Sequence, residues 1–476
     1  VAYFAFQANT DDRSKKGIVP LVLRNLFLEP QAEGAGKNTN YVLAPTPGMT
    51  SRVTPASGSN IRGVFCRAGV QSGALFVVAG TTLYEISSAW SAINRGEVLG
   101  AGRVLFAAVG ANLVLLSSGV LYQWDGSSLT KNTDPDFPAD AYTLADLADR
   151  ILTSQRGSDT FDWSAVGSSL DWPATGFAAS ARYPDEIRAQ AEIGGDLFHF
   201  GAASIQPWRA QGGQDSDAFD VIPAIVINRG IVGRDAWARL DSYAMFIGDD
   251  RVVYEISGYL PQRVVNRDLE LRLAALSESE IAEVQCFSHT WGSHLKFVVK
   301  LPTGSAFVFD ALTRKWHERT ALGETGFGIV HYARFNGYHV VASDDDDAIY
   351  TWDEGVYSDA GASIDRVAML HIPVPEKMTI SSVTLDIKTF GQPVSGDGSD
   401  PKAYVTFYRD GGSLDSLQQL GIERVVSLGR AGNYRTRPTI WRLGIATPAN
   451  GLIVKVRLPD PAGYAIAGAW VNEIPN

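Results

Sequence analysis

Four consecutive carboxylates, Asp344, Asp345, Asp346 and Asp347, stand between two apolar runs and are the first place to look for chemistry. Oxygen-rich turns of this kind can hold Ca²⁺. Neither the glycine nor the bidentate glutamate of an EF-hand loop follows at the required spacing, so the run reads as a solvated hairpin turn. Facing a DNA channel, its charge would repel phosphate and favour sliding over sticking. The histidines, His199, His289, His294, His317, His331, His339 and His371, include no His-x-x-x-His on a helical stretch and no Cys/His ligand spacing. His289 and His294 flank a Trp-Gly turn, which explains them as the ends of two connected strands. There is no Gly-x-Ser-x-Gly elbow and no Gly-x-x-x-x-Gly-Lys-Ser/Thr phosphate loop.

Tyr408-Arg409-Asp410-Gly411-Gly412-Ser413 resembles the Asp-box turn of sialidase-like propellers, without its usual aromatic, and that turn is structural even in enzymes. Glycoside hydrolysis needs two carboxylates facing each other across a pocket, and the sequence singles out no such pair. No catalytic, cofactor-binding or metal-ligating residue is therefore assigned, and the chain reads as a non-enzyme. The alternative is a carbohydrate-active or carbohydrate-binding propeller.

The elements around these residues are short strands. Forty-seven glycines, many β-branched and aromatic residues and little 3.6-residue periodicity favour strands joined by tight turns. The clearest helix is expected over 276–284, where Ser277 and Glu280 fit a capping box. With 476 residues, 45% of them hydrophobic, the chain can bury a large core. A formal net charge of -11 without long basic runs removes the footprint of a protein that grips nucleic acid, so contact with passing DNA would be transient. Cys66 and Cys286 form no pair motif, which fits folding in a reducing cytoplasm. The most apolar stretch, 104–116, is broken by Gly110 and Asn112 and is too short to span a bilayer, and no signal-peptide pattern opens the sequence. The expectation is a protein with neither a membrane span nor a secretion signal.

A hairpin repeats along the first three quarters of the chain, as an apolar strand, a short turn and a second strand carrying an aromatic. It begins at 75, 113, 151, 197, 244, 295 and 339, a spacing of 38 to 51 residues that matches one four-stranded propeller blade. A blade cannot bury both faces alone, and closing the ring removes the sheet edges that invite aggregation. Two β-sandwiches in series are the competing arrangement. The fold expected is mainly β: a six- or seven-bladed β-propeller over 59–371, an N-terminal arm and platform over 1–58, and a separate C-terminal β-sandwich-like domain over 372–476. Within these, 32–57 is rich in Gly, Asn and Pro, and 391–401 reads as a flexible tip.

Several segments together resemble a known family. Arg24-Asn25-Leu26-Phe27-Leu28-Glu29-Pro30, leading to Pro45-Thr46-Pro47-Gly48-Met49, is similar to its opening. Ile61-Arg62-Gly63-Val64-Phe65 is similar to its first blade, and Phe161-Asp162-Trp163-Ser164, Asp171-Trp172 and Pro184-Asp185-Glu186-Ile187 to its middle blades. Asp310 to Thr313, continuing into Trp316-His317-Glu318-Arg319, resembles an Asp-x-x-Thr-x-x-Trp-His-Glu-Arg signature, and Arg437 with Trp441-Arg442-Leu443-Gly444 resembles the final β domain. The family is that of the packaged-DNA stabilisation proteins, the tail hub or nozzle proteins of short-tailed bacteriophages. The resemblance implies a hexamer below the portal and tail adaptor that closes the tail, retains packaged DNA and forms the ejection channel. It also implies docking of tail fibres or spikes and of a needle or plug, transient passage of double-stranded DNA, and a place in the virion after synthesis in the host cytoplasm. Trp316, His317 and Arg319 form a tempting cluster, yet Trp-x-x-Arg at a strand end reads as packing between blades under a cation–π lid.

Overall fold

The computed structural model describes residues 2–6, 8–10, 22–31, 40–180, 185–213, 217–223, 225–320, 326–373, 376–410, 417–431, 438–446 and 451–472. Positions 411–413 of the Asp-box-like turn, Pro184, Arg437 and the part of the Gly-rich stretch over 32–39 lie outside them.

The first strand of the repeat is mainly apolar, and in Leu75–Ala79 unbroken, because both of its faces are covered. In Leu75–Ala79, Phe76 and Val78 pack on Leu113 and Leu115 of the next blade, while Leu75 and Val77 pack on Val340 and Ala342 of the last blade. Alternation along a strand sends successive side chains to opposite faces, so a strand sandwiched between two blades carries apolar residues at every position. This is why the repeat is visible in the sequence.

Among the described residues seven blades form a ring. Blades 1 to 5 are the four-stranded antiparallel sheets at 61–97, 105–131, 145–179, 187–221 and 237–263. Blade 6 (285–319) is built from Gln285–Trp291, His294–Lys300, Ala306–Asp310 and Lys315–Arg319. Blade 7 takes three strands from 329–353 and its fourth, Gly48–Val53, from near the start of the chain. Gly48–Val53 and Ile349–Asp353, far apart in sequence, thus share one sheet, which seals the ring without a covalent bond.

The strands described within 1–58 are woven into both halves of the molecule. Besides the sealing strand, Ala2–Ala5, Leu26–Pro30 and Tyr41–Pro45 join Gly463–Val471, Met378–Phe390 and Thr439–Ala446 in one sheet. A second sheet contains Arg366–Ile372, Leu452–Leu458 and Lys402–Asp410. The two stack as a sandwich over Leu26, Leu43, Ile380, Val405, Val454 and Tyr464. The short strand Leu23–Arg24 pairs on one side with Lys315–Arg319 and on the other with Arg366–Ile372, so blade 6 and the second sandwich sheet are one ten-stranded sheet.

The helix expected over 276–284 is present as Glu278–Ala282, with the Ser277 and Glu280 capping box formed. A second helix, Arg267–Ala274, precedes it under an Asn266 cap. The loop at 391–401 folds back, with Gln392 donating to Thr389 Oγ1 at 2.7 Å and Asp400 accepting from Ser427 at 2.7 Å.

Candidate functional site

An outer blade strand ordinarily meets solvent on one face, as Ala92–Glu97 of blade 1 does. Lys315–Arg319 does not. Trp316, His317, Glu318 and Arg319 are all buried, because Leu23–Arg24 lies against the strand's open edge and the N-terminal segment covers it. The Trp-His-Glu-Arg signature is thus the seam where the start of the chain, blade 6 and the sandwich meet.

Each side chain of the seam has its own tie. Asn9 accepts from the Trp316 backbone N–H at 2.7 Å. Glu318 accepts from Arg24 Nη2 at 3.1 Å and from Thr10 Oγ1 at 3.2 Å. Asn25 holds φ 54°, a conformation that Asn tolerates better than most residues. From there its Nδ2 donates to Thr320 Oγ1 at 3.2 Å and to the Asp365 carbonyl at 2.7 Å. Arg319 donates to the Pro47 carbonyl at 2.8 Å and lies 4.5 Å from the Trp352 ring of blade 7. Arg319 thus forms a cation–π contact between blades, over Trp352 and not over Trp316 of its own strand.

Beneath the seam is a buried polar layer. His294 Nδ1 is 2.6 Å from Asp310 Oδ2 and its Nε2 is 3.0 Å from Glu29 Oε2, linking blade 6 to the strand Leu26–Pro30. The Lys296 Nζ sits 3.5 Å above the Phe27 ring. Burial pulls the Lys296 ammonium down to about 7, against the opposing pull of Asp310. Burial also holds the His289 and His317 imidazoles well below their usual range, and nearby Lys296 and Arg319 push the same way. His289 packs edge-on against Trp352 at 4.6 Å while His294 engages Asp310, so the two histidines do not converge. No group of three or more metal-ligating side chains occurs among the described residues.

Asp344 and Asp345 of the four-carboxylate turn line the axial cavities, and Asp344, Asp346 and Asp347 are tied to neighbouring groups. Asp344 accepts from Gln285 and from Lys300, each at 3.2 Å. Burial alone would raise its carboxyl, but the Lys300 charge and these bonds hold it below the usual value. Asp346 accepts from Tyr350, and Asp347 from the Gly58 N–H at 2.7 Å. Sequence reasoning treated the turn as solvated and missed Arg103, Tyr142 and Arg234, which face Asp344 and Asp345 across the same cavity. Their signal was positional: each falls just before the inner strand of its blade.

Comparison with curated proteins returns no match. Among solved structures, BamB from Moraxella catarrhalis matches with a TM-score of 0.41 at 12% identity, over 70% of this chain and 96% of that one. The Pan2 WD40 domain of Neurospora crassa matches with a TM-score of 0.38 at 10% identity, over 64% and 93%. A structure of U3-55K matches with a TM-score of 0.42 at 10% identity, over 64% and 99%. A family model described as bacteriophage P22 Gp10, β-propeller, matches residues 11–356, a span that includes the sealing strand, the blades and the Trp-His-Glu-Arg seam. The chain belongs to the phage stabilisation family of the bacteriophage P22 Gp10 β-propeller.

Proposed function

We propose that this protein is a structural component of the virion, the tail hub or nozzle subunit of a short-tailed phage, and that it works without catalysis. The observation that carries the reading is the ten-stranded sheet that runs from blade 6 through Leu23–Arg24 into the sandwich. A subunit that holds pressurised DNA must pass load between its ends, and a continuous hydrogen-bonded sheet does so without a hinge. The sealed ring of blades supports the same reading, because opening it would require pulling Gly48–Val53 out of blade 7.

In this proposal a hexamer stands below the portal and adaptor, retains the packaged DNA and lines the ejection path. Fibres or spikes and a needle or plug dock on it. In this reading a propeller over 59–371, sealed by Gly48–Val53, is the rigid body, 372–476 with Arg366–Ile372 is a β domain for contacts with other virion proteins, and 1–58 ties the two together. The net charge of -11 favours passage of DNA over retention by sticking. Immunogold labelling of intact particles with an antibody to this chain tests the proposal. Label at the distal part of a short tail is the expected result. Unlabelled particles, with the protein free in the lysate, would overturn it and turn attention to assays of glycan binding and degradation.

A further inference from the structure

Three adjoining cavities, of about 480, 120 and 490 Å³, lie at the axis on the face where the inner strands begin, and Arg103 lines all of them. The axis is bridged there. Arg103, just before the inner strand of blade 2, lies 3.7 Å from Asp235, just before that of blade 5, and these blades are not neighbours in the ring. Arg234 reaches the same carboxylate at 3.2 Å. Tyr142 of blade 3 stands between two guanidinium groups, with Arg156 4.3 Å and Arg234 5.0 Å from its ring centroid. Burial would raise the Asp235 carboxyl, yet Arg103 and Arg234 hold it below its usual value, so it stays ionised and is consumed by them.

The lining is divided by sign. On the arc of blades 2, 3 and 5, Arg103, Arg156 and Arg234 line the cavity with one carboxylate, Asp235, while Asp140, 3.7 Å from Arg156, is not part of the lining. On the arc of blades 6 and 7, Glu283, Asp344 and Asp345 face a single cation, Lys300. The unpartnered atoms follow the same division. Arg103 Nη1 and Arg234 Nε, both donors, have no hydrogen-bond partner among the described residues, and neither has Gln285 Oε1, an acceptor on the acidic arc. Gln190 and His331, which line the adjoining cavities, each also have a buried nitrogen with no partner among the described residues. Buried polar atoms are nearly always satisfied, and a cavity of several hundred Å³ is the size of small-ligand sites.

We propose that this axial cavity binds a small zwitterion of the amino-acid or dipeptide type. Its carboxylate lies against the guanidinium groups of Arg103, Arg156 and Arg234, and its ammonium lies against Glu283, Asp344 and Asp345. A simple anion would be attracted by one arc and repelled by the other, and a simple cation likewise. Only a ligand with both charges is complementary to both.

Isothermal titration of the full chain with the dipeptide lysyl-glutamate tests this, with succinate and cadaverine as ligands of a single sign. Saturable binding is expected, at least about tenfold tighter for the dipeptide than for either control, the worth of one added charge-assisted contact. Arg156→Gln and Asp345→Asn leave the Arg103–Asp235 bridge intact, and each is expected to weaken the dipeptide by about tenfold with an unchanged circular dichroism spectrum. No saturable heat with any probe would overturn the proposal. Succinate binding as tightly as the dipeptide, or both variants binding like the parent, would overturn it equally.

Discussion

Arg24 and Glu318 form an ion pair at 3.1 Å, with the Glu318 side chain 1% exposed, and Arg24 lies opposite Val367 on its other side. One short strand thereby carries a charge contact to blade 6 and a ladder contact to the sandwich. Breaking a buried pair can cost about 3–5 kcal/mol, and here Arg272, 3.5 Å from Glu318, reduces the loss when Arg24 is removed. Glu318→Ala and Arg24→Ala are each expected to lower stability, and the double variant to lose less than the sum. Urea unfolding of the parent and the three variants checks this; strictly additive losses would mean that the two residues are not coupled.

The seal of the ring depends on close backbone approach at Gly48. A Cβ at this position would lie 2.3 Å from the Ser358 carbonyl oxygen, which cannot move without shifting the strand. Gly48→Val is expected to loosen blade 7 and speed hydrogen exchange at 349–353, where the sealing strand pairs. Ser51→Ala, at an exposed position of the same strand, is the control and should leave exchange there unchanged.

Adjacent residues of one strand should weaken different neighbours. Phe76 packs toward blade 2 and Val77 toward blade 7. Phe76→Ala is expected to cost about 3–5 kcal/mol. It should raise hydrogen exchange in 113–124, whereas Val77→Ala, at a smaller cost, should raise it in 340–349. The same exchange pattern from both variants would contradict the alternation.

Stability should fall on acidification in a window set by the buried histidines. Burial lowers His199 and His331 to about 3, from about 6.5 in the unfolded chain, so between these values the unfolded state binds more protons and each step down in pH favours unfolding. Lys296, lowered to about 7 from an unfolded value near 10.5, adds a second window between about 7 and 10.5 in which stability rises with pH. Melting temperatures across both ranges check this. His331→Gln should flatten the acid limb, and Lys296→Met should flatten the alkaline one.

The repeat was legible because burial on two faces leaves an unbroken apolar run, as in Leu75–Ala79, and because turns punctuate it at blade intervals. The Ser277 and Glu280 cap was legible for a similar reason, since both of its hydrogen bonds are local. The blade number was open between six and seven. A strand from 48–53 completes the last blade from nearly 300 positions away, and no local pattern records such a pairing. The Trp-His-Glu-Arg segment stood out by its residue types, which said nothing of what covers it. The carboxylate run is the hairpin turn that its composition suggested, with Asp345 exposed, but Asp344 is met by Lys300 and Gln285, which no local pattern records.

By itself, then, the sequence determined the β class, the blade period and the strand faces, all of which arise from interactions within a few tens of residues. Tertiary structure decided the ring closure, the sheet shared by blade 6 and the sandwich, and the charge-divided axial cavity. Each of these brings together residues from distant blades or from opposite ends of the chain. Their proximity exists only once the ring has closed, because loop closure, not local preference, sets who meets whom.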